Sequence, residues 1–231
     1  MSDDQRFAEM ISKIAHELRS PLTSVKGFSS TLIKRWDKFT DEQRFQFVET
    51  INADADRMGR IVSEVLDLAR LETGRFELRA MEIEIRPVAE KAAGNHSDLP
   101  GADRVEVNVP EGLKAWADPD RLGHVLTNMI ENAVKFSDEG PIDMSGRALD
   151  HGKVEITISD RGVGIEPERV DGVFSGPAPV GQRATPSGTG LGLYLSRLII
   201  EAHEGSVSVD STLGEGSKFT ILLPAKGPEL D

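Results

Sequence analysis

The first third of the chain places its apolar residues at helical spacing. Between residues 3 and 71 they recur mainly every three or four positions, which is the period of long amphipathic helices, and strand signals are almost absent. A short connector near Trp36–Phe39 divides the region into two segments. Thr40 can cap the second segment, with Gln43 at the capping-box position. The pattern therefore predicts an antiparallel helical hairpin.

One hairpin cannot close a core around the apolar stripes of both its helices, whereas two hairpins can. We therefore expect a homodimer in which this region, residues 1–73, forms a dimeric four-helix bundle. The stripes consist of Phe7, Met10, Ile11, Ile14, Leu18, Val25 and Phe28 in the first segment and Phe45, Val48, Ala55, Met58, Val62, Val65, Leu66 and Ala69 in the second.

The pattern changes after Thr73–Arg75, where short segments of alternating polarity begin to take turns with helical ones. This order predicts an α/β sandwich, with a mixed sheet and helices on one face, over residues 77–226. The fold class of the whole chain is then α + α/β. The predicted strands are Phe76–Ala80, Arg104–Val109, Val154–Ser159, Ser206–Asp210 and Lys218–Leu223, and the predicted helices lie near Arg86–His96, Asp118–Phe136 and Leu191–His203.

Composition narrows the classes of function. The 231 residues suffice for one or two domains, and the absence of cysteine excludes a disulfide framework, a thiolate zinc site and a cysteine nucleophile. A net charge of −12 disfavours nucleic acid as a partner. No run of about 18 apolar residues occurs, so we expect no membrane segment in this chain. A phosphate-rich ligand would have to be held by local geometry and a metal ion, against the overall charge.

His16 lies on the first predicted helix, within the segment His16–Pro21. The apolar residues around it face inward and leave His16 and Glu17 at the solvent side. An exposed imidazole is a competent nucleophile near neutral pH, and Glu17 can accept the proton of its other ring nitrogen. Pro21 removes a backbone hydrogen bond and is expected to kink the helix. A single surface histidine is otherwise an ordinary solvated side chain, unless the second half supplies a phosphoryl donor.

The predicted helix near Asp118–Phe136 carries two asparagines one turn apart. Asn128, Asn132 and Lys135 share a helix face opposite the apolar stripe. The two amide oxygens can ligate a hard cation such as Mg²⁺ while phosphates supply the anionic ligands, and Lys135 can neutralise a phosphate. Taken alone, two solvated asparagines explain the pattern equally well.

Asp160 ends a clear predicted strand and is followed by Gly162 and Gly164. A carboxylate at a strand end, next to glycines that let backbone approach closely, can accept a hydrogen bond from the exocyclic amine of adenine. A plain turn is the competing interpretation.

A second glycine cluster opens the last predicted helix. It comprises Gly188, Thr189, Gly190, Leu191 and Gly192, and glycines before a helix N-terminus expose backbone N–H groups to phosphate. The cluster is neither a dinucleotide fingerprint nor a P-loop, because no strand leads directly into it and no Gly-Lys-Ser/Thr follows. The Gly- and Pro-rich segment before it, Phe174–Gly190, is a candidate lid.

Taken in order, these motifs resemble those of the sensor histidine kinases of two-component systems, over nearly the whole chain. The segments are His16–Pro21 as the phosphoacceptor box, Asn128–Phe136 as the Asn box, Asp160–Gly164 and Gly188–Leu193 as the two glycine boxes, and Gly214–Phe219 as the final glycine turn. The resemblance implies a dimerisation and histidine-phosphotransfer domain followed by a gyrase-like ATP-binding domain.

The same resemblance assigns a role to each residue. His16 is phosphorylated from ATP with the help of Glu17, and the phosphoryl group passes to an aspartate on the receiver domain of a response regulator. Asn128 and Asn132 hold Mg²⁺, Lys135 meets phosphate and Asp160 reads adenine. The glycine boxes contribute Gly162, Gly164, Gly188, Thr189, Gly190, Leu191 and Gly192 to nucleotide binding.

Two positions depart from or extend the family pattern. Family members usually carry a second phenylalanine shortly after the position of Phe174, and Ser175–Pro179 stands here instead, so docking of the lid stays open. Ser20 keeps a hydroxyl where members with phosphatase activity carry Thr or Asn, and it can orient a water molecule for dephosphorylation of the regulator.

Two other functions remain as alternatives. Gyrase-like and chaperone ATPases of the same fold carry a water-activating Glu at the place of Asn128, where an amide is a poor base. Glu131 lies about 100° around the helix from its neighbour Asn132 and should point elsewhere, so transfer is favoured over hydrolysis. The second alternative is a silent scaffold that binds nucleotide only to organise partners. We expect a cytoplasmic location, either as a soluble kinase or as the cytoplasmic part of a membrane-bound sensor.

Overall fold

The structure, a computed structural model, describes residues 3–94, 101–137, 139–176 and 191–227. This part of the chain contains six α-helices and seven β-strands. In chain order they are α1 (Asp3–Arg35), α2 (Asp41–Glu72), β1 (Met81–Glu84), α3 (Ile85–Gly94), β2 (Val105–Asn108), β3 (Lys114–Ala117), α4 (Pro119–Phe136), β4 (Ile142–Leu149), β5 (Lys153–Asp160), α5 (Pro167–Val170), α6 (Leu191–Ala202), β6 (Ser206–Thr212) and β7 (Gly216–Pro224).

Helices α1 and α2 form the predicted antiparallel hairpin. The Phe28 and Phe47 rings stack across it with centroids 5.2 Å apart. The capping box at the start of α2 is confirmed, because the Thr40 N–H donates to Gln43 Oε1 at 3.1 Å and the Gln43 N–H donates to Thr40 Oγ1 at 3.3 Å. Helix α1 continues through Pro21 as one element of 33 residues.

The second compact unit starts at Phe76 and contains the α/β domain. Its five-stranded sheet has the order β2-β4-β5-β7-β6, in which β2 runs parallel to β4 and the other neighbours are antiparallel. The predicted mixed sheet is therefore confirmed. Strands β1 and β3 pair separately as an antiparallel ribbon. The fully buried core comes from helices and sheet together and includes Leu122, Leu126, Met129, Ile130, Ile142, Met144, Ile156, Ile158, Ile199 and Ile221.

The prediction of a strand at Phe76–Ala80 is wrong. The structure assigns no strand there, and β1 begins only at Met81. The backbone N–H of Arg79 donates to Asp118 Oδ2 at 2.9 Å, so this stretch bonds to a helix cap instead of a neighbouring strand. The helix predicted over Arg86–His96 is α3, and His96 lies outside the described residues.

No helix within the described ranges combines the length and the apolar character that a membrane crossing requires.

Candidate functional site

The hairpin presents the predicted phosphoacceptor to solvent. His16 and Ser20 are exposed on α1, and Glu17 beside His16 is half-buried. Arg57 of α2 donates from one guanidinium nitrogen to Glu17 Oε2 at 3.0 Å. The ion pair holds Glu17 against the opposite helix, while the side chain of His16 stays exposed to solvent. Arg57 belongs to none of the sequence motifs described above. Its contact with Glu17 could have been predicted only from the register of the two helices.

Asn128 and Asn132 lie one turn apart on α4, and both are half-buried. Asn128 Nδ2 donates to Ser196 Oγ of α6 at 2.9 Å, and Asn132 Nδ2 donates to the backbone oxygen of Asn128 at 2.8 Å. Within the part of the chain described here, neither side-chain oxygen accepts a hydrogen bond. Both amides therefore use their nitrogen for the protein and keep their oxygen available.

This donor set fits Mg²⁺, which takes amide oxygens as ligands together with phosphate oxygens. Among the described residues no group of three or more His, Asp or Glu side chains could hold a metal ion. A cation bound at the amides would hence rely on the phosphates of a nucleotide for its negative ligands.

Gly192, in the first turn of α6, lets that helix approach Asn128 closely. A Cβ at this position would lie 2.3 Å from Asn128 Oδ1, so any side chain here would displace the Asn128 amide. Leu191 before it is buried at the start of the helix. The other predicted members of this cluster, Gly188, Thr189 and Gly190, lie outside the described residues.

Lys135 is exposed near the end of α4, two turns beyond Asn128 on the predicted face. Its Nζ lies 4.9 Å from the centroid of the neighbouring Phe136 ring. This contact places the ammonium group over a ring at the C-terminal end of α4.

Asp160 is the last residue of β5 and is buried, with 9% of its surface exposed. Burial raises the pKa of its carboxyl group, while hydrogen bonds from the backbone N–H groups of Gly162 and Ser217 act in the opposite direction. The Gly162 N–H donates to Asp160 Oδ1 at 2.8 Å. The carboxyl group is therefore held in one orientation at the end of the strand.

The turn after Asp160 is wedged between α4 and the β6–β7 hairpin. Added Cβ atoms at Gly162 and Gly164 would lie 2.0 Å from the backbone oxygens of Phe136 and Thr212 respectively, and Gly164 also has a φ of +67°. The Val163 N–H donates to the Phe136 oxygen at 3.0 Å. The glycines are thus required by close backbone approach on both sides of the turn.

Arg104 holds the other side of the segment that ends α4. Its guanidinium donates to the backbone oxygens of Ser137 at 2.7 Å and Gly140 at 3.0 Å, and to Ser137 Oγ at 3.1 Å. A cation at a helix C-terminus also interacts favourably with the helix dipole. The sequence offers no local signal for this contact, because 33 residues separate Arg104 from Ser137.

Two buried polar residues connect the N-terminus of α4 with the C-terminus of α6. Asp118 caps α4 by accepting from the N–H groups of Asp120 and Arg121, and its own N–H donates to His203 Nε2 at 2.9 Å. The other ring nitrogen of His203 bonds the Ile199 oxygen at 2.7 Å, so the imidazole is neutral with its proton on Nδ1. Both ring nitrogens of His203 are therefore satisfied within the buried core of the domain.

Phe174, the first residue of the predicted lid, is buried and packs edge-on against Phe219, with ring centroids 6.2 Å apart. Most of the remaining lid, residues 177–190, lies outside the described residues.

Two family models match the chain, one on each side of residue 75. The model of the His Kinase A (phospho-acceptor) domain matches residues 8–74. The model of the histidine kinase-, DNA gyrase B- and HSP90-like ATPase matches residues 117–227. The first range contains His16, and the second contains Asn128, Asn132 and Asp160.

Among curated relatives, the sensor protein GacS of Pseudomonas syringae pv. syringae is 32% identical over 228 residues, which cover 94% of this chain and 25% of GacS. The chain thus spans about a quarter of that relative. The histidine kinase AdeS of Acinetobacter baumannii shares the fold, with a TM-score of 0.71 at 23% identity over 92% of this chain and 98% of AdeS. Full-length ShkA, solved in complex with AMPPNP, has a TM-score of 0.65 at 27% identity and covers 96% of this chain and 47% of its own. With both domain models matched in this order, the chain belongs to the sensor histidine kinases and carries the phosphoacceptor and ATP-binding domains of their catalytic core.

Proposed function

We propose that the chain is an ATP-dependent protein-histidine kinase that phosphorylates His16 and passes the phosphoryl group to an aspartate of a response regulator. The observation that carries the proposal is the set of groups suited to a nucleotide that the α/β domain holds in place. A buried carboxyl group, a turn that only glycine fits and two amides with available oxygens lie on connected elements. The complex of ShkA with AMPPNP supports the choice of an adenine nucleotide.

The α/β domain offers a suitable group to the adenine base and to the phosphates of the nucleotide. The Asp160 carboxylate accepts from the exocyclic amine of adenine, with Gly162 and Gly164 giving the base room. The side-chain oxygens of Asn128 and Asn132 would hold Mg²⁺, which would supply positive charge next to the phosphates. Lys135 adds a positive charge. By its sequence, the second glycine cluster, Gly188 to Gly192, would offer backbone N–H groups to phosphate.

The transfer step uses the exposed imidazole of His16. One ring nitrogen forms a bond to the γ-phosphorus while the bond between that phosphorus and the β,γ-bridging oxygen breaks, and ADP leaves. The imidazole then loses its other proton, which Glu17 accepts. Arg57 supports this role by fixing Glu17 on the hairpin through a 3.0 Å hydrogen bond.

A receiver-domain aspartate completes the reaction by attacking the phosphoryl group on His16, so that the imidazole leaves. The exposed Ser20 lies one helical turn from His16, where its hydroxyl can orient water for the reverse function, dephosphorylation of the regulator. A reaction that consumes ATP fits a cytoplasmic location.

The hairpin also supports a homodimer, as a four-helix bundle formed with a second copy. Several large apolar side chains on α1 and α2 remain open to solvent, and Ile33 is 82% exposed. A second hairpin would cover them and remove apolar surface from water. The exposed set is Ile11, Leu22, Ile33, Phe45, Val48, Val62 and Leu66.

Incubation with ATP labelled at the γ-phosphate tests the proposed kinase activity. The protein should acquire label that is stable to base and labile to acid, and His16→Gln should abolish it. His151→Asn is the control, since His151 is also exposed and its positive φ of 63° suits asparagine. Label that persists in His16→Gln would refute the assignment of His16.

The two alternatives give other results in the same assay. Release of inorganic phosphate without protein labelling indicates a hydrolytic ATPase. Nucleotide binding measured by calorimetry, with neither label nor released phosphate, indicates a scaffold. Adding a panel of receiver domains to the labelled protein then identifies the partner by the fastest transfer.

A further inference from the structure

Ser196 of α6 is a buried residue that none of the chemistry above assigns to a role. It is 2% exposed and lies one turn after Gly192 on the same helix. Its Oγ accepts a hydrogen bond of 2.9 Å from Asn128 Nδ2. A buried hydroxyl therefore touches the side chain that we propose as a ligand of the nucleotide-bound cation.

An asparagine amide has two ends of similar shape and opposite chemistry. Only the oxygen can ligate a cation, whereas the nitrogen carries two donors that a cation repels. A metal site built on Asn128 thus depends on which end of the amide faces the phosphates.

Close packing alone does not decide between the two ends. A Cβ on Gly192 would lie 2.3 Å from Asn128 Oδ1 and 2.8 Å from Nδ2, so the helix backbone presses on both. This contact fixes the plane of the amide, and the hydrogen bond to Ser196 gives the nitrogen end an acceptor of its own.

We propose that Ser196 is a positioning residue that keeps Asn128 Nδ2 engaged as a hydrogen-bond donor to α6 and so leaves Oδ1 as the end that can ligate the cation accompanying the nucleotide. The inference rests on the proposed nucleotide binding. Asn132 needs no such helper, because its Nδ2 donates to the Asn128 backbone oxygen within α4. Side chains that orient a metal ligand typically change metal affinity by about 10- to 100-fold when they are removed.

The test compares AMPPNP affinity in Mg²⁺ with affinity in EDTA, by calorimetry on the full chain. Ser196→Ala should lose about tenfold or more of the gain in affinity that Mg²⁺ gives, and its affinity in EDTA should equal that of the natural chain. The ratio of the two affinities separates the positioning role from general damage to the domain, which would weaken binding in both buffers.

A double-mutant cycle shows whether Ser196 acts through Asn128. In the Asn128→Ala background, Ser196→Ala should cause no further loss of the Mg²⁺-dependent gain. Thr157→Val is the matched control, because Thr157 is another buried hydroxyl of the same domain and bonds Ser145 Oγ at 2.8 Å. It should leave the Mg²⁺ dependence unchanged.

An unchanged Mg²⁺ gain in Ser196→Ala, an equal loss in both buffers, or independent losses in the double variant would each overturn the positioning role. If the natural chain binds no AMPPNP in either buffer, the proposed function fails and the inference fails with it. Binding by the natural chain with a normal Ser196→Ala variant removes the inference alone.

Discussion

The hairpin leaves the side chains proposed to react exposed to solvent, whereas the α/β domain holds its proposed binding residues in place. His16 and Ser20 are exposed on α1, and Glu17 is tied by one ion pair. Asn128 and Asp160 are instead held by hydrogen bonds from their own domain, and glycine lets backbone approach each of them. A nucleophile that meets two partners in turn must stay accessible. A nucleotide site gains from groups that are already oriented before binding.

The two regions also differ in how completely they bury their large apolar side chains. The sheet and helices of the α/β domain bury many of their large apolar side chains completely, Ile130 and Ile156 among them. The hairpin leaves Leu22 56% exposed and Ile33 82% exposed. The α/β domain therefore buries its apolar core within one chain, whereas the hairpin leaves apolar surface that the proposed second copy would cover.

The largest effect that we expect comes from the fixed turn after Asp160. In Gly164→Ala the new Cβ meets the Thr212 backbone oxygen at 2.0 Å, and φ stays at +67°. The free energy of unfolding should fall by about 3 kcal/mol or more, and nucleotide binding should be lost. Urea unfolding and calorimetry measure the two quantities.

Gly152→Ala is the matched control for this change, because Gly152 has a φ of +69° and open space around it. Only the strain of the left-handed backbone remains there, about 1–2 kcal/mol. Equal losses in the two variants would show that the turn is not held by close packing.

A charge in the exposed stripe of the hairpin tests the need for a second copy. Ile33→Glu should weaken dimerisation by at least about 100-fold, because two apolar side chains leave the interface and two charges enter it. Sedimentation equilibrium gives the dissociation constant. Met81→Glu places the same charge on an exposed apolar position of the α/β domain and should leave the dimer unchanged. An Ile33→Glu variant that dimerises normally would contradict the four-helix bundle.

Arg104→Met tests whether the end of α4 is fixed from outside the helix. The change removes hydrogen bonds to Ser137 and Gly140 and should lower the free energy of unfolding by about 2 kcal/mol. Arg147→Met is the control, because Arg147 bonds Glu155 at the surface with 68% of its side chain exposed. This surface pair should contribute little, since solvent screens it. Similar losses in both variants would assign Arg104 an ordinary surface role.

The smallest effect is a pH dependence of the stability of the α/β domain. Burial lowers the pKa of His203, opposed by its bond to Ile199 and by the charge of Asp118. Below about pH 6.5 the unfolded chain binds a proton that the folded domain resists, so stability falls as the pH falls, by at most about 1.4 kcal/mol for each pH unit.

Unfolding measured from pH 7 to pH 5 in the natural chain and in His203→Gln isolates this contribution, because the variant should lack that part of the slope. Burial would raise the pKa of Asp118, but backbone N–H groups of Arg79, Arg121 and Asp120 outweigh it and lower the pKa. The stability that Asp118 provides is therefore present above its ordinary value near 3.8 and is lost only at lower pH. Identical slopes in the two proteins would exclude His203 as the cause.

The elements with a strong period could be predicted from the sequence. The hairpin, its Thr40 cap and the mixed sheet follow from patterns that are local in the chain. Strand β4 could not be predicted. Gly146 breaks the alternation of apolar residues in its sequence, and the strand is ordered by its pairing with β5. The misassigned stretch Phe76–Ala80 alternates like a strand, but its Arg79 N–H bonds the Asp118 carboxylate, which is a long-range contact.

The same distinction between local patterns and long-range contacts applies to the residues of the candidate site. The motif residues can be located by spacing, because each sits at a defined point of a helix or a strand end. The residues that hold them cannot, since Ser196 is 68 positions from Asn128 and Arg57 is 40 positions from Glu17. Such partners are defined by how the elements pack, and no local pattern encodes that.

The neutral amides of Asn128 and Asn132 have one more consequence for how a cell would load this protein. A cage of carboxylates attracts a bare divalent ion, but two uncharged oxygens offer it too little to give up its hydration shell. We therefore expect the ion to arrive already chelated by the triphosphate, as one package. The concentration of the chelate, rather than the affinity of the empty site for the bare ion, would then govern occupancy.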